Sequence, residues 1–148
     1  MTLFIDADAF PNLLKPIVFR AIQREKLQTY VISNKKVNIG VSPLIHYIIV
    51  AISADQADNE IVAMVGKDDL VLTADIPLAD RVVSKKAYAL DFKGIFYDEN
   101  NIKQHLVMRN LMNEIRDGGE ILKGPAPFGE KQKQSFANAL SKFLQEKK

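Results

Sequence analysis

Cysteine and tryptophan are absent from this 148-residue chain, and histidine occurs only twice. Without cysteine, no disulfide and no thiolate metal site can form. The two histidines, His46 and His105, have no histidine or carboxylate at metal-ligand spacing, so both read as ordinary core or surface residues. Long apolar runs are missing too: the longest, Tyr47 to Ile52, falls far short of the about 20 residues that span a bilayer. No basic stretch followed by an apolar one opens the chain, so a secretory leader is not expected and a cytoplasmic location is. A strong net charge is also lacking. At +2 the chain has no global field to draw in nucleic acid. Six of the 20 basic residues but only two of the 18 acidic ones fall between Lys123 and Lys148, which leaves a slightly acidic body and a basic final segment. Such a segment reads first as a solvated helix face.

What remains is the composition of a soluble globular protein, 47% apolar and 26% charged, long enough for one domain over residues 1–148 with a substantial core. The organising stretch is Leu3-Phe4-Ile5-Asp6-Ala7-Asp8-Ala9-Phe10-Pro11. It reads as a buried strand that delivers carboxylates from its carboxyl end. Leu70-Val71-Leu72-Thr73-Ala74-Asp75-Ile76-Pro77 repeats the design, with proline opening a helix. In open α/β sheets, sites form just beyond the carboxyl ends of parallel strands.

The spacing predicts a first helix from Pro11 to about Lys26, with Leu13, Leu14, Ile17, Val18, Ala21 and Ile22 inward. Strands are predicted over 29–33 and 44–53, the second from its β-branched residues. A helix follows from Asp55, itself a suitable N-cap. The strand at 70–74 leads into a helix opened by Pro77 with Leu78, Ala79, Val82 and Val83 inward. Residues 87–91 and 95–97 read as a small hairpin around Phe92-Lys93-Gly94. A long helix over 100–116 is expected to bury Ile102, Leu106, Met108, Leu111, Met112 and Ile115. Gly124 to Gly129 reads as a stiff loop before a last helix from Glu130, with Phe136, Leu140, Phe143 and Leu144 inward. Alternating strands and helices predict an α/β fold: a three-layer α/β/α sandwich with a mostly parallel central sheet, a small hairpin and C-terminal helices.

Asp6, Asp8, Asp58, Asp75 and Asp80 are the acidic candidates. Asp6 and Asp75 stand side by side if their strands are neighbours. Asp8 shares a side with Asp6 by the period of two, Asp80 lies one turn into the following helix, and Asp58 flanks the rim. Carboxylates so crowded repel one another and hold protons unless a hard divalent cation joins them. Oxygen-only ligands suit Mg²⁺ or Mn²⁺, which activate water for phosphodiester hydrolysis. Thr73 and Asn34, at neighbouring strand ends, could hold a water or phosphate oxygen. Taken singly, each aspartate reads first as structural, a helix cap; it is their coincidence at one rim that favours a metal site.

Asp6-Ala-Asp-Ala-Phe-Pro11, Asp55-Gln-Ala-Asp-Asn-Glu-Ile61, Asp69-Leu-Val-Leu-Thr-Ala-Asp-Ile-Pro-Leu-Ala79 and Gly124-Pro-Ala-Pro-Phe128 together resemble the YaiI/YqxD family of bacterial proteins. That family is similar to the PIN-like, NYN-type fold, whose enzymes are metal-dependent nucleases. The resemblance implies a PIN-like domain with Asp6, Asp58 and Asp75 at the acidic metal positions and Asp8 and Asp80 beside them. It also implies that Arg109 and Arg116, with Asn100, lie on a helix where arginine meets phosphate. The chain departs from the pattern at Phe10, where a small residue or cysteine is common, and at Gln132-Lys133, where an Asp-Arg pair is common.

Three functional expectations follow. The first is a Mg²⁺- or Mn²⁺-dependent nuclease acting on RNA or single-stranded nucleic acid, with Asp6, Asp58 and Asp75 on the metal and Asp8 or Asp80 orienting water. Lys35, Lys36, Arg109 and Lys133 would hold the backbone. The second is a non-catalytic nucleic-acid or protein binding module on the same fold. The third is an aspartate-dependent phosphatase, in which Asp6 is nucleophile and Asp8 general acid. It is weakened because Asp68-Asp69 precedes its strand rather than following one. RNA is the expected partner and a membrane is not.

Overall fold

Leu3, Phe4 and Ile5 are almost entirely removed from solvent, as a strand buried on both faces requires. The computed structural model describes residues 1–52, 55–119 and 128–147. Within them, six strands form one sheet: β1 (Thr2–Asp6), β2 (Gln28–Ser33), β3 (Ile45–Ile49), β4 (Leu70–Leu72), β5 (Tyr88–Leu90) and β6 (Phe96–Tyr97). Their order is β3-β2-β1-β4-β5-β6, parallel throughout except for the antiparallel β5–β6 hairpin. The sequence reverses direction between β1 and β4, and the register pairs Ile5 with Leu72, so Asp6 and Thr73 leave the sheet together. This is the crevice that the two acidic strand ends predict.

Five α-helices accompany the sheet: α1 (Lys15–Glu25), α2 (Gln56–Met64), α3 (Ile76–Ser84), α4 (Ile102–Asp117) and α5 (Glu130–Glu146). Alternate residues of each strand feed two cores. Leu3 and Ile5 join Leu14, Val18 and Ile22 of the α1 region and Phe136 and Leu140 of α5. Phe4 and Val71 join Ile61 of α2 and Leu78 and Val82 of α3. The fold is therefore α/β with helices on both sheet faces and a mixed, mostly parallel sheet.

Some boundaries differ from the sequence pattern. Proline at 11 and 16 splits the predicted first helix, so Asn12–Leu14 forms a separate 3-10 turn and Leu13 is 40% exposed. Lys26 takes a left-handed conformation (φ 53°) that ends α1. The predicted strand at 44–53 is shorter, Ile45–Ile49, because it is an edge strand with one neighbour. The strand predicted to reach Ala74 stops at Leu72, where Thr73 and Asp75 begin a capped turn. Asp55 stands at the N-cap of α2 but its side chain makes no capping hydrogen bond.

The largest correction concerns α4. Only Ile102 of its apolar residues is buried, while Met108, Leu111 and the neighbouring Val107 are exposed and Leu106, Met112 and Ile115 are half-buried. Helical spacing tells which residues share a face and says nothing of what covers it. Here α4 packs on α3, and the stripe is only partly covered: Ile102 is buried, Leu106, Met112 and Ile115 are half-buried, and Met108 and Leu111 stay exposed. The last helix matches its expectation, with Phe136, Leu140, Phe143 and Leu144 buried. The expected loop of residues 124–127 lies outside the described residues.

Candidate functional site

At the carboxyl rim of β1 and β4, Thr73 acts as a clasp. Its hydroxyl donates to Asp6 Oδ2 at 2.8 Å and accepts from the Asp75 N–H at 3.0 Å. Thr73 is wholly buried, while the carboxylate it holds faces the rim. Asp75 also caps α3: its Oδ1 accepts from the Leu78 N–H at 3.1 Å. Asp8, two residues past Asp6, accepts the Asn34 N–H on Oδ1 at 2.8 Å, which ties the β1 loop to the end of β2. The structure thus gives Asp75 a capping role and Asp8 a loop-tying role.

These groups line an open pit of about 440 Å³, which holds Asp6, Asp8, Asp58 and Asp75 with Phe92 and Arg109. The electrostatics express the crowding. Burial, opposed by the Thr73 hydrogen bond but reinforced by the charges of Asp8 and Asp75, pushes Asp6 up to about 6. Burial, with Asp75 and Asp6 as the next causes, pushes Asp58 up to about 7. Phe10 meets Phe92 edge-on at 5.3 Å and closes the apolar side.

The remaining expected residues divide. Arg109, from α4, lies in the pit, but Arg116, in the last turn of the same helix and exposed, does not line it. Asp80 does not reach the rim. It pairs with Lys103 of α4 at 2.8 Å and serves the α3–α4 contact. Lys133 pairs with Glu130 at 3.8 Å. Lys35 belongs to a second cleft of about 340 Å³ that adjoins the pit through Asp8 and also contains Lys15, Lys36 and Asn38. Lys15 and Asn38 carried no functional signal in the sequence: the first reads as one more charge on a helix, the second as loop polarity. Only the tertiary meeting of α1 with the loop after β2 reveals them.

The donor set is oxygen only, and two of its carboxyls are raised chiefly by burial with neighbouring carboxylates adding to it, a setting that suits a hard divalent cation. As the side chains stand, no group of three or more His, Asp or Glu among the described residues forms a ready-made metal site. Mg²⁺ bound through one or two carboxylates and several waters does not require one. Elsewhere, Asp91 is also pushed up, chiefly by burial. Its Oδ1 accepts the Lys93 N–H at 2.5 Å, so its role is to shape the β5–β6 turn.

Comparison with known proteins places the chain. The family model described as "Uncharacterized BCR, YaiI/YqxD family" matches residues 4–146. A UPF0178 protein of Sulfurimonas denitrificans is 60% identical over 97% of this chain and 95% of its own length. One from a Sulfurovum species is 60% identical over 97% of both chains, and one from a Nitratiruptor species is 54% identical over 98% and 95%. No solved structure matches significantly. No helix among the described residues is long and apolar enough to cross a membrane.

Proposed function

The chain belongs to the YaiI/YqxD family, and we propose that it is a PIN-like, divalent-metal-dependent nuclease that hydrolyses RNA or single-stranded nucleic acid. The observation that carries this reading is the meeting of Asp6, Asp58 and Asp75, from three separate parts of the chain, in one pit with Asp8 and Arg109. Among Asp6, Asp58 and Asp75, one or two would hold Mg²⁺ or Mn²⁺ directly and the remainder through water. When bound, such an ion neutralises the carboxylates, lowers the pKa of water and stabilises charge on the phosphate.

The chain's own groups do the rest. Thr73 fixes Asp6 Oδ2 and the start of α3 relative to each other. Asp8, oriented by the Asn34 N–H, is the carboxylate placed to orient water, since Asp80 is engaged with Lys103. Arg109 in the pit and Lys35 in the adjoining cleft supply the cations that bind phosphate oxygens.

Cleavage of labelled RNA with and without Mn²⁺ tests the reading. Metal-dependent cleavage lost in Asp6→Asn and Asp75→Asn supports it. Equal cleavage by those variants removes the residues from the mechanism.

The binding-module alternative draws on the structural employment of two of the aspartates, Asp75 as a helix cap and Asp8 as a loop tie. Tight, metal-independent RNA binding without cleavage would favour it. The phosphatase reading loses ground because Asp69 sits at the opposite end of β4, where it accepts from the N–H groups of Thr2 and Gly66, both at 2.9 Å.

A further inference from the structure

Three cavities lie in series. The acidic pit and the lysine cleft share Asp8, and the lysine cleft shares Lys36, Val37 and Asn38 with a third cavity at the β3 edge. This third cavity encloses about 390 Å³, within the roughly 300–1,000 Å³ of small-ligand sites. Its character differs from its neighbours. Val31, Val37, Val41, Ile45 and Ile49 surround Tyr47. Val41 is 89% and Ile49 63% exposed, so these two are offered to an occupant, while Val31 and Ile45 belong to the core beneath.

The cavity wall is held in shape without any ligand. Tyr47 Oη donates to the Gly40 carbonyl at 2.5 Å and accepts from the Ile39 N–H at 3.1 Å. Asn38 Oδ1 accepts from the Gly40 N–H at 2.9 Å. Gly40 (φ +144°) lies so close to α1 that a Cβ there would stand 2.3 Å from Phe19 Cδ2. The loop after β2 is thus pinned from both sides, and the Nδ2 donors of Asn38 have no partner among the described residues.

We propose that this cavity receives an unstacked nucleobase of the same single strand whose phosphates run through the lysine cleft to the carboxylates. The inference rests on the nuclease reading and extends it to recognition. A stretch of lysines beside an apolar pocket with one aromatic ring is the chemistry of a strand whose backbone is anionic and whose bases are flat and apolar. Tyr47, Val41 and Ile49 cover the base faces, and Asn38 Nδ2 offers hydrogen bonds to an acceptor on its edge.

The test is polarisation binding in EDTA of a short fluorescein-labelled single-stranded RNA and of the same oligomer with its bases removed. The V41S/I49S double variant is used because both side chains are exposed and their loss leaves the core intact. We expect about tenfold weaker binding of the RNA, the scale of one lost base contact, with binding of the base-free oligomer and the melting temperature unchanged. Equal weakening of both oligomers, or none, overturns the proposal. So does a change of mass in solution from dimer to monomer in the variant, which assigns the β3 edge to a second copy of the chain. If V41S/I49S binds as wild type while Asp75→Asn abolishes cleavage, the base pocket falls and the nuclease stands. If the wild type binds neither oligomer at low salt, the base pocket falls, and Mn²⁺-dependent cleavage alone decides the nuclease reading.

Discussion

Thr73 donates its hydroxyl hydrogen to Asp6 Oδ2 at 2.8 Å, across the seam between two neighbouring parallel strands. Thr73 Oγ1 in turn accepts from the Asp75 N–H, so one buried side chain ties the Asp6 carboxylate to the backbone of Asp75. Thr73→Val keeps the shape and deletes both bonds. A buried hydrogen bond to a charged group contributes about 1.5–3 kcal/mol, and urea denaturation should show a loss of that order. Because this bond also lowers the Asp6 pKa, the variant should hold its Asp6 proton to higher pH. Thr73→Ser, which retains the hydroxyl, should restore most of both. A neutral Thr73→Val would mean that the clasp neither stabilises the rim nor tunes the site.

The raised carboxyls predict how stability varies with pH. Asp6 titrates near 6 and Asp58 near 7 in the folded chain, against about 3.8 when unfolded. Between those values the folded state binds more protons than the unfolded one. Stability therefore falls as pH rises from about 4 to about 7, and the penalty is fully present above that. Asp58 is half-buried and solvent screens part of the effect, so its share is on the order of 1 kcal/mol. Asp58→Asn should flatten the profile and melt roughly 2–4 °C above the wild type at alkaline pH. Calorimetry at a series of pH values checks it, and a wild type most stable above pH 7 would contradict the direction.

A divalent cation should reverse that penalty. An ion that binds only the folded chain raises the melting temperature in proportion to the logarithm of its concentration. Mn²⁺ should stabilise more at pH 8 than at pH 5, since protons on Asp6 and Asp58 compete with it. Asp75→Asn should abolish the gain, because Asp75 stands beside both raised groups. Differential scanning fluorimetry with Mn²⁺, and with EDTA as control, reads this without requiring activity.

The strand ends were legible in the sequence because both follow one local rule: an apolar run, then an aspartate, then a proline that starts a helix. The rule places Asp6 and Asp75, and β1–β4 adjacency brings them together. Asp80 obeyed the same helical arithmetic but turned to Lys103, since helix phase alone does not say which neighbour a surface side chain finds. The stripe of α4 failed for a related reason. Its spacing marks Met108 and Leu111 as one face, yet only the tertiary placement of α4 decides whether that face is covered, and it is not. The β3 cavity was illegible altogether. It depends on the loop after β2 folding onto Phe19 and Tyr47, contacts 21 residues apart and 7 residues apart in sequence respectively from Gly40, with no periodic signature.

Arg109 and Arg116 offer a direct discrimination between a residue that reaches the site and one that shares only its helix. Both are exposed on α4, so truncating either should leave the fold intact. Arg109 lines the pit with the carboxylates, where on the proposed nuclease reading its guanidinium would meet the charge that develops on a phosphate. Arg109→Ala should lower metal-dependent RNA cleavage about a hundredfold, the usual cost of one preorganised donor. Arg109→Lys should recover only part of it, because a point charge does not reproduce the bidentate fork. Arg116 stands in the last turn of α4 outside the lining of the pit, and its truncation should leave cleavage close to wild type. Equal losses from the two alanine variants would show that the helix contributes diffuse positive charge, and salt dependence would then fall by the same amount in both. Unequal losses with unchanged RNA affinity would place the Arg109 effect on the reacting phosphate rather than on strand capture.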